Sequence, residues 1–549
     1  MSDRIALRGG WVADGIGATT RRADVLIEGE RIAAVRDAPV EGAGPAAAHH
    51  DHLLIGSATD APGQPAEVID LPPGSVVCPG FIDAHAHAEG PLLEHGRVDG
   101  ALAQGVTTLV VGQDGQSWIG ADAATLRYLN RYFGPVNGAL AGPVTGPLDV
   151  AGYAAAVAGR LTQNVAVLAS QGTIRHNVAG LRIGSLDPDQ RRAARDQVER
   201  ALTQGAVGLS SGLDYLPSRY GDPAEVAELA RPLAAAGRPY VSHLRGYGPN
   251  VVSGLAELTE TGRRSGARVH ASHLWGPPPA IETALAAADT AAVPLSFDAY
   301  PYRRSSTILA MLLLPPEFQA GGPDQTVAAL ADPGQRARLL AGDRFTPEYL
   351  AHVYLATLPA EHAWMAGLPI PEAAAQASQP PGEWTLDLLA RTGLQVGANL
   401  DRPALTDPDL TWLAQHDRHS AGSDGIYQGQ HPHPRAYGAF ARLATYYLAA
   451  DPSRPADLGP DPGYQTLVRH LATNAADAFG LRDRGRIAPG MAADLCVISP
   501  PGLIEHATYE APTALASGVT LVLVNGTLAW TDRNGVAAGA SRLAGRVIS

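Results

Sequence analysis

The sequence predicts an α/β protein that combines a (β/α)8 TIM-like barrel with a small β-sandwich domain built from both termini. In the middle of the chain, apolar strand-like runs alternate with helical stretches rich in Ala, Leu and Arg, a pattern typical of βα units and a parallel sheet. Near both ends, the sequence instead carries short strand patterns separated by turns. Eight strand candidates in the middle centre on residues 78–87, 106–113, 165–170, 206–211, 238–244, 267–274, 293–300 and 419–424.

The small β-domain is predicted from strand patterns at the two ends of the chain. Its N-terminal part, residues 1–77, has strand patterns at 5–7, 24–28, 31–35 and 67–71, with a loop rich in Ala, Gly and His at 41–66. Its C-terminal part, residues 481–549, has strand patterns at 493–498 and 520–526. Because the two ends share this character and differ from the middle, we expect them to form one domain.

The barrel is predicted to span residues 78–480. The interval between the last two strand candidates is far too long for a single helix, so we expect an inserted subdomain or lid within residues 303–418. In a barrel of this kind the active site lies at the C-terminal ends of the strands. Residues that end the strand candidates are therefore the first place to look for function.

Composition excludes several classes of function. The net charge of −13 argues against nucleic acid or an anionic membrane as a partner, and no apolar run is long enough to span a bilayer. With two cysteines and no signal-peptide core at its start, the chain is expected in the cytoplasm, and the sequence is compatible with a homo-oligomer. All 41 basic residues are arginine, so lysine-based Schiff-base chemistry and a carboxylated-lysine metal bridge are excluded.

The most informative stretch is the end of the first strand candidate, where His85 and His87 follow an apolar run and a Pro-Gly break. Side chains at positions i and i+2 of a strand leave the same face. The two imidazoles can therefore reach one point, as two ligands of a metal ion must. The preceding residues are apolar at both odd and even positions, which face opposite sides of a sheet. This is typical of a strand buried on both faces rather than one with a solvated side.

Three further strand ends carry metal-binding side chains: His243, His273 and Asp424. Each alone is a weak signal, because a single histidine at a strand end is often only a satisfied polar residue. In a barrel, however, all strand ends lie on one rim, so these residues would converge with His85 and His87. Neutral imidazoles with a carboxylate favour Zn²⁺, one or two ions per chain, over iron or manganese.

The chain resembles the amidohydrolase superfamily, and more closely the N-acyl-D-amino-acid deacylase (D-aminoacylase) family. The resemblance covers nearly the whole chain and rests on the order and spacing of PGFIDAHAH (79–87), QGVTTLVVG (104–112), GAVGLSSGLDY (205–215), YVSHLR (240–245), DAYPY (298–302), GSDG (422–425), HPRAYG (433–438) and RGRIAPGMAADL (484–495). It implies a zinc-dependent enzyme that hydrolyses the amide bond of N-acyl-D-amino acids, a small-molecule substrate.

Two positions depart from the pattern that the resemblance implies. Members of the family usually carry a cysteine metal ligand two residues after the VVG of the second strand, where this chain has Asp114. A hard oxygen would then replace a soft thiolate, and Asp114 either bridges two metals or only caps a turn before Gly115. The family's usual lysine, two residues after the histidine of the sixth strand, contacts the substrate carboxylate; here it is Trp275.

The resemblance also implies a set of substrate contacts. Tyr215, either Tyr300 or Tyr302, and Arg435 match by position, and Arg435 lies eleven residues after Asp424, where a carboxylate-binding arginine is expected. Trp275 belongs to the same set. Arg175 and Arg245 are further candidates, each equally compatible with a role outside the site. We interpret His270 as a packing residue, and we treat four further histidines as non-ligands: His176, His419, His431 and His433.

The predicted mechanism has Zn²⁺ polarising the scissile carbonyl while Asp424 takes a proton from the attacking water and passes it to the leaving amine. Two alternatives remain open from the sequence. A cyclic amidase (hydantoinase-like) or a deaminase would use the same site, and Trp275 favours that alternative because a flat indole suits a ring. A catalytically inactive scaffold is disfavoured because the four ligand histidines and Asp424 are all present.

Overall fold

Strands from the two ends of the chain pair in one curled, eleven-stranded sheet. The computed structural model describes residues 4–38, 54–59, 65–138, 140, 148–448, 461–532, 535–536 and 543–549. The sheet contains Arg4–Arg8, Trp11–Val12, Arg21–Glu28, Arg31–Asp37, Leu54–Thr59, Pro65–Asp70, Val76–Pro79, Leu495–Ile498, Val519–Val524, Thr527–Thr531 and Gly535–Val536. The sequence predicts a small β-sandwich domain built from both termini, and here Arg21–Glu28 pairs with both Arg4–Arg8 and Trp11–Val12, which joins all these strands in one curled sheet.

The strand Val76–Pro79 explains this continuity. It pairs in parallel with Trp11–Val12 on one side and antiparallel with Leu495–Ile498 on the other. At this junction Cys78 lies opposite Cys496, and both cysteines are buried and free. Side chains from both ends of the chain then pack in one apolar cluster, which buries their hydrophobic faces together.

The loop predicted at residues 41–66 contains a strand that the sequence did not indicate. Leu54–Thr59 pairs antiparallel with Pro65–Asp70, in a register that sets Leu54 opposite Asp70. The prediction is wrong for this part, because the many Ala, Gly and His residues mask the strand pattern while the hydrogen-bonded partner strand stabilises it. Residues 41–53 and 60–64 lie outside the described residues.

Eight strands of the middle of the chain, called here the first to eighth central strands, coincide with the predicted positions. In chain order they are Phe81–Asp83 with Ala86–His87, Val106–Val111, Asn164–Val167 with Ala169–Ser170, Leu209–Gly212, Tyr240–His243, Val269–Ala271, Leu295–Ala299, and His419–Ala421 with Gly425–Ile426. Each pairs in parallel with the next along the chain. The eighth also pairs in parallel with the first, through Gly425–Ile426 and Ala86–His87. Their C-terminal ends therefore lie at one common edge.

Helices follow the central strands, as the alternating pattern predicts. They are Glu89–His95, Asp99–Leu102, Ala123–Tyr132, Gly134–Asn137, Val150–Val157, Gln171–Ala179, Pro188–Thr203, Pro223–Ala236, Val251–Ser265, Pro278–Thr290, Arg435–Ala444, Tyr464–Val468 and Asn474–Phe479. Local sequence sets their ends: the Asp187 side chain accepts from the Gln190 backbone N–H at the start of Pro188–Thr203, in a capping box. Among the residues described, no helix has the length and apolarity that crossing a lipid bilayer requires.

The long interval before the eighth central strand folds around a core of its own. Strands Arg304–Ile308, Val353–Thr357 and Gly397–Asp401 form an antiparallel sheet with Gly397–Asp401 in the middle. Helices of this interval pack beside it: Leu309–Leu313, Gly322–Ala329, Pro333–Leu340, Pro347–Leu350, Ile370–Gln376 and Pro381–Arg391. The next helix, Asp407–Gln415, packs instead against the eighth central strand. A separate apolar cluster that includes Leu309, Val353 and Trp384 holds these elements together. We call residues 304–401 the insert.

Two buried histidines, His419 and His470, are expected to make the stability of this fold sensitive to acid. His419 lies in the eighth central strand with its Nδ1 3.3 Å from the Nδ1 of His470. Burial, and then the neighbouring His470, lower the pKa of His419 to about 3. The unfolded chain binds a proton near pH 6.5 while the folded chain does not, so the free energy of unfolding should fall as pH drops from 6.5 toward 3.

We expect each such group to contribute a slope of at most about 1.4 kcal/mol per pH unit. Urea unfolding of wild type and His419→Asn between pH 7 and pH 4.5 measures this. The variant should have lower stability at pH 7 but a shallower dependence on pH. Equal slopes for the two proteins would contradict the assignment.

Candidate metal centre

Asp114 lies in the middle of four imidazoles at the common edge of the central strands. Its Oδ1 is 3.6 Å from His85 Nε2 and 3.5 Å from His273 Nε2. Its Oδ2 is 3.7 Å from His87 Nε2 and 3.7 Å from His243 Nδ1. All five side chains are at least nine-tenths buried. The structure therefore brings together predicted residues from the ends of three central strands, the first, fifth and sixth, and from the turn after the second.

Asp424 completes this cluster from the end of the eighth central strand. Its Oδ1 lies 3.3 Å from His87 Nε2 and 3.6 Å from His85 Nε2, while its Oδ2 lies 2.8 Å from Nη1 of Arg435. The Asp424 backbone N–H donates to the carbonyl of His85, which fixes the first and eighth strands to each other. One carboxylate thus faces both the histidine pair and a buried guanidinium.

Three of the clustered residues have a left-handed backbone: Asp114 at φ 55°, His273 at φ 34° and Asp424 at φ 50°. Such conformations are uncommon outside glycine and cost about 1–3 kcal/mol each, although Asp and His tolerate them better than branched residues. The strain turns these side chains inward at strand ends. Asp114 lies in the short turn Gln113–Gly115. Among the described residues, no N–H of that turn is found to donate a hydrogen bond to the Asp114 carboxylate, and the Gly115 N–H donates to Ser210 instead.

Hydrogen bonds behind the cluster orient its imidazoles. His87 Nδ1 lies 2.8 Å from Asn137 Oδ1, so the ring donates there and leaves Nε2 as the free acceptor. Asp298 accepts from the backbone N–H of His273 at 2.8 Å and lies 3.6 Å from His85 Nδ1. Sequence reasoning missed both residues. Asp298 is the first residue of the DAYPY motif, and that motif could have identified it. Nothing in the sequence places Asn137 near His87.

Asp83 fixes the loop that carries Asp424. Its Oδ1 accepts from the backbone N–H groups of Ser423 at 2.8 Å and His85 at 3.1 Å, and its Oδ2 bonds the Ser423 hydroxyl. Burial raises the pKa of Asp83 to about 7 against the opposing effect of these bonds. The residue therefore ties the first central strand to the eighth, immediately beside the clustered side chains.

Electrostatic interactions within the cluster shift the pKa values of its imidazoles and of Asp114 in opposite directions. Burial alone would lower the pKa of His85, but the carboxylates of Asp298 and Asp114 raise it to about 9. Burial would also lower the pKa of His243, but the carboxylates of Asp114 and Asp214 outweigh burial and raise this pKa to about 9. In return, the imidazoles hold the pKa of Asp114 well below its usual value despite its burial. The carboxylates are thus anionic, and their charge stabilises positive charge on the imidazoles or on an ion held between them.

The donor set fits a divalent metal ion. Donor atoms of His85, Asp114 and His273 lie within 4.8 Å of one another, and so do those of His85, His87 and Asp424. Both ring nitrogens of His85 and the Asp114 Oδ1 are buried without a hydrogen-bond partner among the described residues. Buried polar atoms rarely stay unpaired, and imidazole with carboxylate is a donor set that suits Zn²⁺.

Four of the predicted substrate residues lie near this cluster. The Tyr215 ring packs edge-on against His243 at 4.9 Å, and its hydroxyl hydrogen-bonds Thr307 of the insert at 2.6 Å. The Arg435 Cζ lies 4.6 Å from the ring centre of Tyr300. Trp275 follows His273 and is half-buried. Nε and Nη1 of Arg435 have no hydrogen-bond partner of good geometry among the described residues, although Nη1 is near Asp424.

Three other candidates are bonded elsewhere. Tyr302 donates its hydroxyl to Glu505, Arg175 forms a buried ion pair with Glu225 at 2.9 Å, and Arg245 pairs with Glu257 at 3.1 Å. Both arginines also donate to backbone carbonyls: Arg182, Gly184, Arg219 and Gly221. The structure therefore does not bring these three side chains to the metal cluster, and it favours Tyr300 over Tyr302 as the tyrosine beside Arg435.

The remaining histidines have other partners within the described part of the chain. His270 bonds Ser296 and Asp298, which sets it behind the cluster. The four histidines predicted as non-ligands bond or stack instead on Tyr128, His470, the carbonyl of Tyr509 and the backbone of Arg435. Sequence reasoning also missed Tyr247, whose ring lies 5.2 Å from His243 and 5.3 Å from His273.

Comparison with known proteins identifies the family. A profile described as the amidohydrolase family matches residues 67–529, which is most of the chain. The chain belongs to the amidohydrolase family. It is 32% identical to N-acyl-D-glutamate deacylase of Alcaligenes xylosoxydans xylosoxydans, over 95% of this chain and 92% of that relative. It is 29% identical to D-aminoacylase of the same organism, over 99% of this chain and 97% of the relative. The resemblance drawn from the motifs is confirmed.

Solved structures of amidohydrolases agree with these matches. One is N-acyl-D-glutamate deacylase from Bordetella bronchiseptica, complexed with zinc and a phosphonate inhibitor that mimics the tetrahedral intermediate; it is 28% identical over the full length of both chains, with a TM-score of 0.75. A D-aminoacylase studied for its binuclear metal centre is 29% identical, again over both full lengths, with a TM-score of 0.73. A D-hydantoinase from Thermus, 16% identical with a TM-score of 0.50, shares the fold.

Proposed function

We propose that this amidohydrolase uses Zn²⁺ to hydrolyse the amide bond of N-acyl-D-amino acids, releasing a carboxylic acid and a D-amino acid. The observation that carries the proposal is the pairing of Asp424 with both the histidine cluster and Arg435. One carboxylate thereby joins the reacting centre to a cation that can hold the carboxylate of an amino acid. Relatives that match over nearly the whole chain have this activity by name.

The proposed architecture follows from the strand pairing. We infer that the eight central strands close into a (β/α)8 barrel, since the pairing that runs from the first strand to the eighth returns to the first. The barrel would occupy residues 78–480 with its insertion within 303–418, and residues 1–77 and 481–549 would form the small β-domain. In this arrangement the clustered residues stand at the rim where barrel enzymes place their active sites.

His85, His87, His243, His273, Asp114 and Asp424 would hold the metal, with Asp114 shared between two positions. Asp114 suits that role because its two oxygens face two pairs of imidazoles, His85 with His273 and His87 with His243. When bound, zinc lowers the pKa of water toward about 7 and polarises an amide carbonyl. Asp114 keeps the negative charge that such a centre requires.

Asp424 is the residue placed to move the proton. Arg435 and the imidazoles counter the effect of burial and lower the pKa of Asp424, so it is ionised at neutral pH and can accept a proton at Oδ1. The same oxygen can then return the proton to the nitrogen of the departing amine. The bond from the Asp424 backbone N–H to His85, with the anchoring by Asp83, holds the carboxylate in register for both transfers.

Arg435 is placed to hold the substrate carboxylate. It is fully buried at the start of the helix Arg435–Ala444, and it reaches the carbonyl of Ser306 in the insert at 3.4 Å. Arg435→Lys should raise KM for an N-acyl-D-amino acid about 10- to 100-fold more than KM for its amide derivative, because the bidentate contact is lost. Steady-state kinetics on the paired substrates measure this, with Arg442→Lys on the same helix as control. Equal losses for acid and amide would indicate a structural role.

The proposed function is tested with metal-loaded protein and paired N-acetyl-D- and N-acetyl-L-amino acids. Release of free amino acid from the D-enantiomers is the expected result. Opening of hydantoins with no deacylation of any substrate would contradict it. The sequence argument for a cyclic substrate was the flat face of Trp275, but the Arg402 Cζ lies 5.0 Å from that ring centre and occupies one face of it.

A further inference from the structure

Arg402 is a buried cation that sequence reasoning did not single out. It directly follows the middle strand of the insert, Gly397–Asp401, and its side chain is only 8% exposed. Its Nε donates to the carbonyl of Arg303 at 3.1 Å, and its Nη2 donates to Tyr302 at 2.8 Å and Arg304 at 3.2 Å. These backbone carbonyls hold the guanidinium in a fixed position.

Within the described residues, no carboxylate pairs with Arg402, and no hydrogen bond from its Nη1 is found. Burying a guanidinium without a counter-charge is unfavourable, so arginine at such a site is normally paired. Burial lowers the pKa of Arg402, and the positive charge of Arg435 lowers it further. Tyr300 and the Asp424 carboxylate act in the opposite direction, but among the described residues Asp424 is in ion-pair contact with Arg435 and not with Arg402.

The two arginines share one tyrosine. The Arg435 Cζ lies 4.6 Å from the ring centre of Tyr300, and the Arg402 Cζ lies 5.2 Å from the same centre. Arg435 also touches Asp424, whereas the other neighbour of Arg402 is the Trp275 ring at 5.0 Å. Arg435 is therefore the cation in contact with Asp424, and Arg402 is a second cation beside the same tyrosine ring.

We propose that Arg402 binds a second carboxylate of the substrate, so that the preferred N-acyl-D-amino acids have an acidic side chain. The inference rests on the proposed function. The carboxylate on the α-carbon is close to the scissile amide and reaches Arg435, whereas a carboxylate at the end of the side chain lies further from the amide and reaches Arg402. Tyr300 and Trp275 provide aromatic faces on which the guanidinium stays ordered when no substrate is bound.

The test compares N-acetyl-D-glutamate with N-acetyl-D-glutamine, which has the same shape but no side-chain charge. Wild-type protein should have a kcat/KM about 10- to 100-fold higher for the glutamate substrate. Arg402→Gln should bring that ratio close to one, while kcat/KM for N-acetyl-D-glutamine stays within about threefold of wild type. Arg303→Gln is the matched control, because Arg303 is an exposed arginine next to the same strand and should keep the wild-type ratio.

Equal losses for both substrates in Arg402→Gln, or a wild-type ratio near one, would overturn the assignment of Arg402. Calorimetric titration of metal-loaded wild type and Arg402→Gln with N-acetyl-D-glutamate separates this from failure of the proposed function. Binding that depends on Arg402 without hydrolysis would contradict the proposed function but support the assignment. If the protein neither binds nor hydrolyses either substrate, both the proposed function and the assignment of Arg402 are contradicted.

Discussion

Asp424→Asn is expected to lower kcat by about 10²- to 10⁴-fold while most of the metal stays bound. The substitution preserves the shape of the side chain, and its amide oxygen can still face Arg435, which lies 2.8 Å from Oδ2 in the wild type. It removes the only atom of the residue that can accept a proton beside His87. Metal analysis of the purified variant, together with steady-state kinetics on an N-acyl-D-amino acid, measures the two effects separately.

Asp417→Asn is the matched control for this variant. Asp417 precedes the same strand, but its side chain is 89% exposed and pairs only with Arg469 within the described residues, at 3.4 Å. Its substitution should leave both metal content and turnover unchanged. If Asp424→Asn kept turnover within tenfold of wild type, another group would have to take the proton, and the proposed role of Asp424 would be wrong.

The second large effect is expected at Asp114. Asp114→Asn should lower metal affinity by at least about 100-fold and reduce activity in proportion. Asparagine tolerates the left-handed backbone at φ 55°, so the turn Gln113–Gly115 can persist while the charge between the four imidazoles is lost. Asp114→Ala combines that loss with backbone strain, and for this reason the asparagine variant gives the clearer result.

Two interpretations of Asp114 remain: a ligand shared between two metal positions, or a residue that caps a turn. Metal titration and stoichiometry of Asp114→Asn decide between them, with Asp189→Asn at an exposed position as control. A shared metal ligand requires the anionic oxygen, so the two variants should differ. A residue that merely stabilises a turn would tolerate the amide. Full metal content and full activity in Asp114→Asn would end the proposal that this residue is shared between two metal positions.

Local patterns made most of the clustered residues predictable from the sequence. His85 and His87 are two positions apart at the end of an apolar strand, and His243, His273 and Asp424 end other strand candidates, so parallel packing alone brings them to one edge. Asp114 was indicated only because the family resemblance pointed to its position. No periodicity identifies it, since it lies in a turn and not in a strand.

Side chains that depend on distant partners were harder to assign. Arg175 and Arg435 are both arginines near predicted strand ends, but only the structure reveals that Arg175 pairs with Glu225 in another helix. Arg402 was invisible in the sequence because the insert has no relation to the βα pattern, and its position depends on how the insert packs over the strands. The sequence predicts that the two ends form one domain, but it does not reveal that Val76–Pro79 joins them by pairing on both of its sides.

The pairing of Val76–Pro79 with Leu495–Ile498 has a consequence for how the chain is made. Pro79 and Cys496, which meet in this pair, are 417 residues apart in the sequence. At ribosomal rates of about 5–20 residues per second, Leu495–Ile498 is synthesised on the order of 20 to 80 s after Val76–Pro79. During that interval an apolar strand edge is open to other nascent chains. Synthesis of Leu495–Ile498 therefore sets the earliest time at which Val76–Pro79 can be paired on both sides.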